Sequence, residues 1–217
     1  MRVRIKELSK KYNQKYNHPH LDDPEGQMYD FERRKLWQWV HDKKPSVVFE
    51  IGTGGGGGST IQIAHAIKTL REEGHCAASR FFTCEPDMQE LQKASKYFST
   101  HPEYKGFVTT ECECSTPFIN DLINVGIIPD FIFFDGPEIA ELSLSDFKIL
   151  EHKVKIGTMF ATHDWDTTNS VKNLLLRPYL EANENWKQVE YLSGISGEWP
   201  NETETQSVGL ALYQKTK

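Results

Sequence analysis

A run of five consecutive glycines at positions 54–58 limits the folds open to this chain more than any other feature of its sequence. Residues 46–51, before it, form an apolar, β-branched stretch that is typical of a strand buried in a parallel sheet. Residues 59–73, after it, carry apolar side chains at helical spacing. Because glycines permit a sharp turn and let a ligand approach bare backbone, this strand, turn and helix together predict a ligand site.

The alternation of strand and helix continues along the chain and predicts an α/β fold. A helix at 29–41 leads into the first strand, and further strands are expected at 80–85, 106–111, 130–134 and 158–162. Helices are expected after them at 87–98, 117–125, 138–152 and 167–182. Two strand-like runs, 186–192 and 207–213, have no helix between them and favour an antiparallel hairpin. The sequence therefore predicts a Rossmann-like, seven-stranded, mostly parallel sheet with a C-terminal antiparallel hairpin and helices on both faces.

The first thirty residues differ from the rest in composition. They are polar, and His18-Pro19-His20 and the segment 22–26 interrupt them, which indicates loops and not a packed element. We therefore expect residues 1–30 to form an N-terminal appendage or lid. Residues 31–217 are expected to form one domain, because a single domain of this size buries a larger core than two small ones would.

Charge and hydropathy argue against two classes of partner. The chain has 31 acidic and 25 basic residues, a formal charge of −6, so no global positive field attracts nucleic acid. The sequence has no apolar run long enough to span a membrane and no signal-peptide pattern, so we expect a cytoplasmic protein with reduced cysteines. A small molecule is the expected partner, and homo-oligomerisation is left open.

Polar residues occur where three of the predicted strands end. Glu85 follows the second strand, where a carboxylate can accept hydrogen bonds from both hydroxyls of a ribose. Asp135 follows the fourth strand, and His163 and Asp164 follow the fifth. Because parallel strands end at one edge of the sheet, we expect these side chains to share a cleft. The alternative is structural: Asp164 and Asp166 could cap the next helix, and His163 could be a buried ring.

The segment Glu50-Ile51-Gly52-Thr53-Gly54-Gly55-Gly56 resembles the first motif of the class I S-adenosylmethionine-dependent methyltransferases, an acidic residue followed by Gly-x-Gly-x-Gly. The resemblance implies that S-adenosylmethionine (SAM) is the cofactor and that its methionine end lies at Glu50, Gly52, Thr53, Gly54 and Gly56. A carboxylate at this turn would repel a pyrophosphate but can assist an ammonium group, which disfavours a dinucleotide.

The same resemblance extends to the third strand. In the family, the stretch that corresponds to Glu113 and Ser115 lies along the adenine ring, so both residues are candidate cofactor contacts. Ser115 is equally suited to cap the helix expected at 117, because serine hydroxyls readily accept hydrogen bonds from helix N-termini. The two interpretations are compatible.

The pair Asp135-Gly136, followed by His163-Asp164, resembles the small-molecule O-methyltransferases, including the catechol type, near the cephalosporin-hydroxylase-like branch. The resemblance implies that Asp135 and Asp164 bind a divalent cation such as Mg²⁺. A physical argument agrees: the two carboxylates are expected to lie close together, and the sequence shows no evident basic partner for them. The chain departs from the catechol type at Trp165, which replaces a side-chain amide, and at Glu138, which replaces a lysine base.

Those departures leave two hypotheses for the chemistry. In one, Asp135 and Asp164 act through a metal; in the other, His163 is the general base of a metal-free site. Asp135, His163 and Asp164 are thus the candidate catalytic residues, and Asp135 also borders the cofactor site.

The expected activity is transfer of a methyl group to an oxygen, or less readily a nitrogen, of a small acceptor. Two alternatives remain open. One is an NAD(P)-dependent oxidoreductase, because residues 52–57 also fit the loose dinucleotide pattern. The other is a non-catalytic module that only binds the cofactor.

Overall fold

The computed structural model describes residues 28, 30–75, 77–166, 171–193, 197–198, 205–206 and 209–217. Most of the predicted N-terminal appendage, the first residues of the helix expected at 167–182, and the start of the strand expected at 207–213 lie outside these residues. The boundary between appendage and domain therefore stays a prediction. Met28 belongs to the predicted appendage but is 3% exposed and packs in the core.

Helices and strands alternate in the described residues as the sequence predicted. The α-helices are α1 (Asp30–Lys43), α2 (Ser59–Glu72), α3 (Met88–Thr100), α4 (Ser115–Asn124), α5 (Ala140–Glu151) and α6 (Asn173–Ala182), and a 3₁₀ turn covers Pro102–Tyr104. The main strands are β1 (Val47–Ile51), β2 (Arg80–Cys84), β3 (Val108–Glu111), β4 (Phe131–Phe134), β5 (Met159–Thr162), β6 (Trp186–Ser193) and β9 (Gly209–Lys215). Two short strands, β7 (Gly197–Glu198) and β8 (Thr205–Gln206), lie between β6 and β9.

The seven main strands form one sheet in the order β3-β2-β1-β4-β5-β9-β6. Strands β1 to β5 are parallel, and β9 is antiparallel to both β5 and β6. This confirms the predicted mostly parallel sheet with a C-terminal antiparallel pair. Strands β7 and β8, which no sequence pattern predicted, pair with each other in a separate two-stranded ribbon.

Helices cover both faces of the sheet, as predicted, and each face has its own apolar core. Alternate residues of β4 divide between them: Phe131 and Phe133 pack under α1 and α2, and Ile132 and Phe134 pack under α4, α5 and α6. This division follows from the two-residue period of a strand. No helix among the described residues combines the length and apolar character that a membrane span requires.

The glycine loop between β1 and α2 depends on glycine at two places. Gly52 has φ +97°, and a Cβ atom there would lie 2.9 Å from the backbone carbonyl carbon and oxygen of Asp135. Gly56 has φ +85°, and a Cβ atom there would lie 2.9 Å from the Cβ of Ala94 on α3. At both positions the backbone has a positive φ and lies in close contact with a neighbouring element, so only glycine fits without strain. The loop is therefore held against the end of β4 and against α3.

Glu50 is a charged residue in the middle of the sheet. It is fully buried on β1 between Thr83 of β2 and Phe133 of β4, and Thr83 Oγ1 donates a hydrogen bond of 2.6 Å to its carboxylate. Burial raises the pKa of Glu50 to about 7, although the hydroxyls of Ser59, Thr83 and Thr60 partly offset this rise. Glu50 therefore titrates near neutral pH.

We expect Gly52→Ala to destabilise the fold more than Gly54→Ala does. Gly54 also has a positive φ, +51°, but a Cβ there would meet no atom within 4 Å. Gly54→Ala should cost about 1–2 kcal/mol for the left-handed backbone alone. Gly52→Ala should cost ~1–3 kcal/mol more, because its methyl group collides with the Asp135 backbone. Urea denaturation of both variants measures the difference, and equal costs would contradict the close approach of the loop to β4.

The raised pKa of Glu50 predicts a pH-dependent stability. A carboxyl group whose pKa is higher in the folded protein binds more protons there than in the unfolded chain. The free energy of unfolding should therefore fall as the pH rises from about 4.5 to about 7 and then level off. Over that interval Glu50 should account for roughly 3 kcal/mol.

Glu50→Gln should abolish this contribution, and it should make the protein more stable than wild type at pH 8. The matched control is Glu111→Gln, which changes an exposed carboxyl group at the end of β3. Chemical denaturation between pH 4.5 and 8 compares the three proteins. If Glu50→Gln shows the same fall as the wild type, Glu50 does not titrate in this range.

Candidate active site

A cavity of about 300 Å³ opens at the carboxyl ends of the parallel strands. The glycine loop, residues 52–58, forms one side of it. Its lining also includes Met28, Glu85, Asp135, Glu138, Asp164 and Lys172. Open α/β sheets bind their ligands at this edge, and the volume is at the lower end of the range for small-molecule sites. The cavity is therefore the candidate active site.

Glu85 lies where the sequence predicted a ribose contact, at the end of β2 and on the cavity lining. Its Oε2 accepts a hydrogen bond of 2.8 Å from the Gly54 N–H, and its Oε1 accepts one of 3.0 Å from the Asp87 N–H. Asp87 caps α3 by accepting hydrogen bonds from the N–H groups of Gln89 and Glu90. A carboxylate has about four lone-pair positions, so Glu85 keeps acceptor capacity for a ligand hydroxyl.

A chain of polar side chains lies beneath the glycine loop. Thr53 is buried, and its Oγ1 is 2.6 Å from the Oγ1 of Thr83, which in turn donates to Glu50. The backbone N–H groups of Gly52 and Thr53 both donate to the Cys84 carbonyl at 3.1 Å. Gly52, Thr53, Gly54 and Gly56 thus border the cavity, whereas Glu50 lies below the loop and is not among the lining residues.

The two residues predicted to contact adenine lie apart from this cavity. Glu113 and Ser115 are not among its lining residues, and Ser115 is buried in the first turn of α4. This helix begins at Ser115, two residues before the predicted start, and its N-cap residue is Cys114. Ser115 therefore does not occupy the capping position that the sequence offered as the alternative.

Asp135 is the centre of a group of charges at the end of β4. Its Oδ1 lies 2.7 Å from Nζ of Lys172 and 3.1 Å from Nδ1 of His163. Burial alone would raise the pKa of Asp135, but the charges of Lys172 and His163 outweigh it and hold that pKa well below its usual range. Asp135 is therefore a permanent carboxylate on the cavity wall.

His163 has carboxylates on both sides of its ring. Nδ1 lies 3.1 Å from Asp135 and 3.4 Å from Asp164, and Nε2 lies 3.2 Å from Glu32 of α1. Burial would lower its pKa, but Asp135 and Glu32 raise it well above the ordinary value of 6.5. With both nitrogens directed at carboxylates, the ring is held as a cation. It is 3% exposed and does not border the cavity.

Asp164 borders the cavity, whereas the two residues after it do not. Asp164 has φ +55°, a conformation that aspartate tolerates better than most residues. Trp165 packs in the core against Tyr213 and does not border the cavity. Asp166 accepts a hydrogen bond from Tyr191. Neither Asp164 nor Asp166 is the N-cap of α6, a position that Lys172 holds.

Sequence reasoning missed two residues of the site, Lys172 and Glu32. Lys172 had no usable signal, because the helix expected at 167–182 placed it in a helix interior, where a lysine is ordinary. Glu32 had none either, because it belongs to the charged run 32–35 on α1, a pattern typical of a solvent-exposed face. All four of those residues are buried instead.

The residues around Asp135 and Asp164 do not fit a divalent metal. Asp135, His163 and Asp164 each offer one ligand atom, and these atoms lie within 4.8 Å of one another. However, the Lys172 ammonium lies 2.7 Å from an oxygen of each carboxylate. A metal bound to the same oxygens at about 2.0–2.6 Å would overlap that ammonium and repel it. The premise that these carboxylates lack a basic partner was therefore wrong.

Comparison with known proteins identifies the fold. The structure is similar to the O-methyltransferase TomG from Streptomyces achromogenes in complex with SAM, with a TM-score of 0.68 and 16% identity over 97% of this chain and 89% of TomG. It is also similar to an O-methyltransferase from Bacillus cereus in complex with SAH (TM-score 0.64, 17% identity, 96% and 91% coverage). An rRNA methylase from Streptococcus thermophilus is a further match (TM-score 0.56, 14% identity, 82% and 95% coverage).

Sequence comparison adds nothing to this result. No protein-family model matches the chain, and the search of curated proteins finds no significant match. At 14–17% identity, the structural similarity identifies a fold and not an acceptor. The chain has the fold of the class I SAM-dependent methyltransferases, with the mostly parallel sheet, the C-terminal antiparallel pair and the glycine loop that its sequence predicted.

Proposed function

We propose that this protein is a SAM-dependent methyltransferase that moves a methyl group to an oxygen of a small-molecule acceptor. One observation carries the proposal: Glu85 accepts a hydrogen bond of 2.8 Å from the Gly54 N–H, and both residues border one cavity. A carboxylate that can bind ribose hydroxyls therefore lies beside a glycine loop that has no side chains. Asp135 lies at the same edge. The solved neighbours with this fold include O-methyltransferases bound to SAM or SAH.

The residues of the loop fit SAM. Gly54 has open space where a side chain would sit, because a Cβ atom there would meet no atom within 4 Å, so the methionine end can lie against bare backbone at this position. Glu85 would accept hydrogen bonds from the ribose hydroxyls. Bound there, SAM supplies an electrophilic methyl group on a sulfonium. Glu113 and Ser115 remain candidate adenine contacts, although they lie outside the cavity described above.

The acceptor would lie over the ends of β4 and β5. Its hydroxyl proton passes to Glu138, an exposed carboxylate on the lining, and from there to water. The acceptor oxygen then forms a bond to the methyl carbon while the carbon–sulfur bond breaks. The electron pair of the broken bond stays on sulfur. The protein contributes mainly by positioning the two reactants. His163 is a positioning residue in this proposal, because its ring is held between carboxylates and does not reach the cavity.

The lining favours a neutral or cationic small acceptor over a polyanion. Five of its side chains are acidic, namely Glu85, Glu90, Asp135, Glu138 and Asp164, and they outnumber its one lysine. A nucleic acid would meet repulsion at this opening. A cytoplasmic location stays a prediction, and homo-oligomerisation stays open.

The alternative functions have weaker support. Strand β9 runs antiparallel between β5 and β6, unlike the all-parallel order of the dinucleotide-binding fold, which argues against an NAD(P)-dependent oxidoreductase. A non-catalytic cofactor-binding module would keep the loop and Glu85 but transfer no methyl group. Assay of SAM turnover with a panel of phenols, catechols and amines distinguishes that alternative from an enzyme.

We expect S-adenosylhomocysteine to bind the wild-type protein, and Glu85→Ala to weaken its binding by ~1–3 kcal/mol, the magnitude of a lost charged hydrogen bond. Titration calorimetry measures this. Glu111→Ala is the matched control, because Glu111 ends the neighbouring strand but does not border the cavity.

Two results would overturn the assignment. Unchanged affinity in Glu85→Ala would remove Glu85 from the cofactor site. Tight binding of NADH, together with no binding of S-adenosylhomocysteine, would replace the methyltransferase proposal by the oxidoreductase.

A further inference from the structure

Lys172 is a buried cation on the lining of the candidate active-site cavity. Its side chain is 2% exposed, and its ammonium lies 2.7 Å from Asp135, 2.7 Å from Asp164 and 3.3 Å from Glu138. An ammonium has three protons, and these three carboxylates match them in number. Lys172 also borders the cavity. A charged group in this position faces whatever molecule occupies the cavity.

The three carboxylates differ in how firmly they are held. The side chains of Asp135 and Asp164 are 22% and 19% exposed, whereas that of Glu138 is 59% exposed. Glu138 also has the longest of the three contacts. An acceptor oxygen entering the cavity can therefore displace Glu138 from the ammonium and leave the other two contacts in place.

The start of α6 fixes the position of Lys172. Asn173, the next residue, donates from Nδ2 to the His163 carbonyl at 2.7 Å, and its Oδ1 accepts from Thr162 at 3.1 Å. These bonds tie the helix to the end of β5. The backbone at Lys172 is therefore anchored to β5, and the ammonium itself is held by the carboxylates.

We propose that Lys172 is a built-in cation that takes the place of a divalent metal: its ammonium occupies the position between Asp135 and Asp164 and binds the oxygen of the acceptor. The role of the acceptor oxygen rests on the proposed methyltransferase function. The position of the ammonium between the two carboxylates does not depend on it. Binding to a fixed cation stabilises the negative charge on an acceptor oxygen as its proton leaves to Glu138 and water. Methyl transfer then requires no metal.

The first test uses Mn²⁺ as the probe and the protein without cofactor. Wild-type protein should leave the electron paramagnetic resonance signal of free Mn²⁺ unchanged, because Lys172 holds the site. Lys172→Ala removes both the charge and the stem and leaves Asp135, His163 and Asp164 in place. This variant should bind Mn²⁺ at least tenfold more tightly than wild type does.

Two further variants make the test specific. Lys172→Arg keeps a cation in place and should not gain Mn²⁺ binding. Lys68→Ala, which removes a lysine on α2 that pairs with Glu72 outside the site, should behave as wild type. If Lys172→Ala fails to fold, the wild-type titration still decides: stoichiometric Mn²⁺ binding by the wild-type protein overturns the proposal. A folded Lys172→Ala variant that gains no Mn²⁺ binding overturns it as well.

The second test concerns the reaction. Wild-type methyl transfer to the best acceptor of the panel should be undiminished in EDTA, and Lys172→Ala should lower kcat by roughly 10²–10³-fold, as expected when one donor to a developing oxyanion is lost. Affinity for S-adenosylhomocysteine should change less than twofold. The pH dependence of kcat/KM in Lys172→Ala should shift toward the acceptor's own, higher pKa, a change that a merely structural lysine would not cause.

The two proposals fail in different ways. Absence of S-adenosylhomocysteine binding would remove the methyltransferase function but leave the Mn²⁺ result readable. Loss of transfer in EDTA, or an unshifted pH profile in a folded Lys172→Ala variant, would remove the role of Lys172 and leave the methyltransferase function intact.

Discussion

Balance among buried charges holds the candidate site together. The carboxylates of Glu32, Asp135 and Asp164 face the cations His163 and Lys172, and these residues come from α1, the ends of β4 and β5, and the start of α6. Removing one partner of a buried pair typically costs about 3–5 kcal/mol, because the other charge is left uncompensated. The same balance therefore fixes the four elements relative to one another and shapes the cavity wall.

Much of the fold could be predicted because its signals are local. Strand and helix periodicity located all five strand-helix units, and the glycine run located the turn that Gly52 requires. The convergence of Glu85, Asp135 and Asp164 followed from one rule, that parallel strands deliver their last residues to one edge. Each of these inferences needed only residues close together in the sequence.

The rest depended on contacts between distant parts of the chain. Glu32 and His163 are 131 positions apart, and nothing in a charged run on α1 distinguishes a buried carboxylate from an exposed one. Lys172 was read as an ordinary helix residue, so the carboxylates seemed to lack a counter-charge and a metal was inferred. Glu50 was assigned to the cofactor because it matches the acidic residue of the methyltransferase motif, but its side chain lies beneath the loop and accepts a hydrogen bond from Thr83.

The position of β9 bears on how the chain is synthesised. β9 pairs with β5 on one side and β6 on the other, although it follows both in the sequence. A nascent chain that has emerged only as far as β6 can assemble the strands around the cavity, but the edge of β5 then exposes unpaired backbone groups. Closing that edge requires pairing between residues as far apart as Phe160 and Tyr213, which is slow compared with local helix formation. The edge of β5 is therefore open to pairing with another chain in the interval between the emergence of β5 and that of β9.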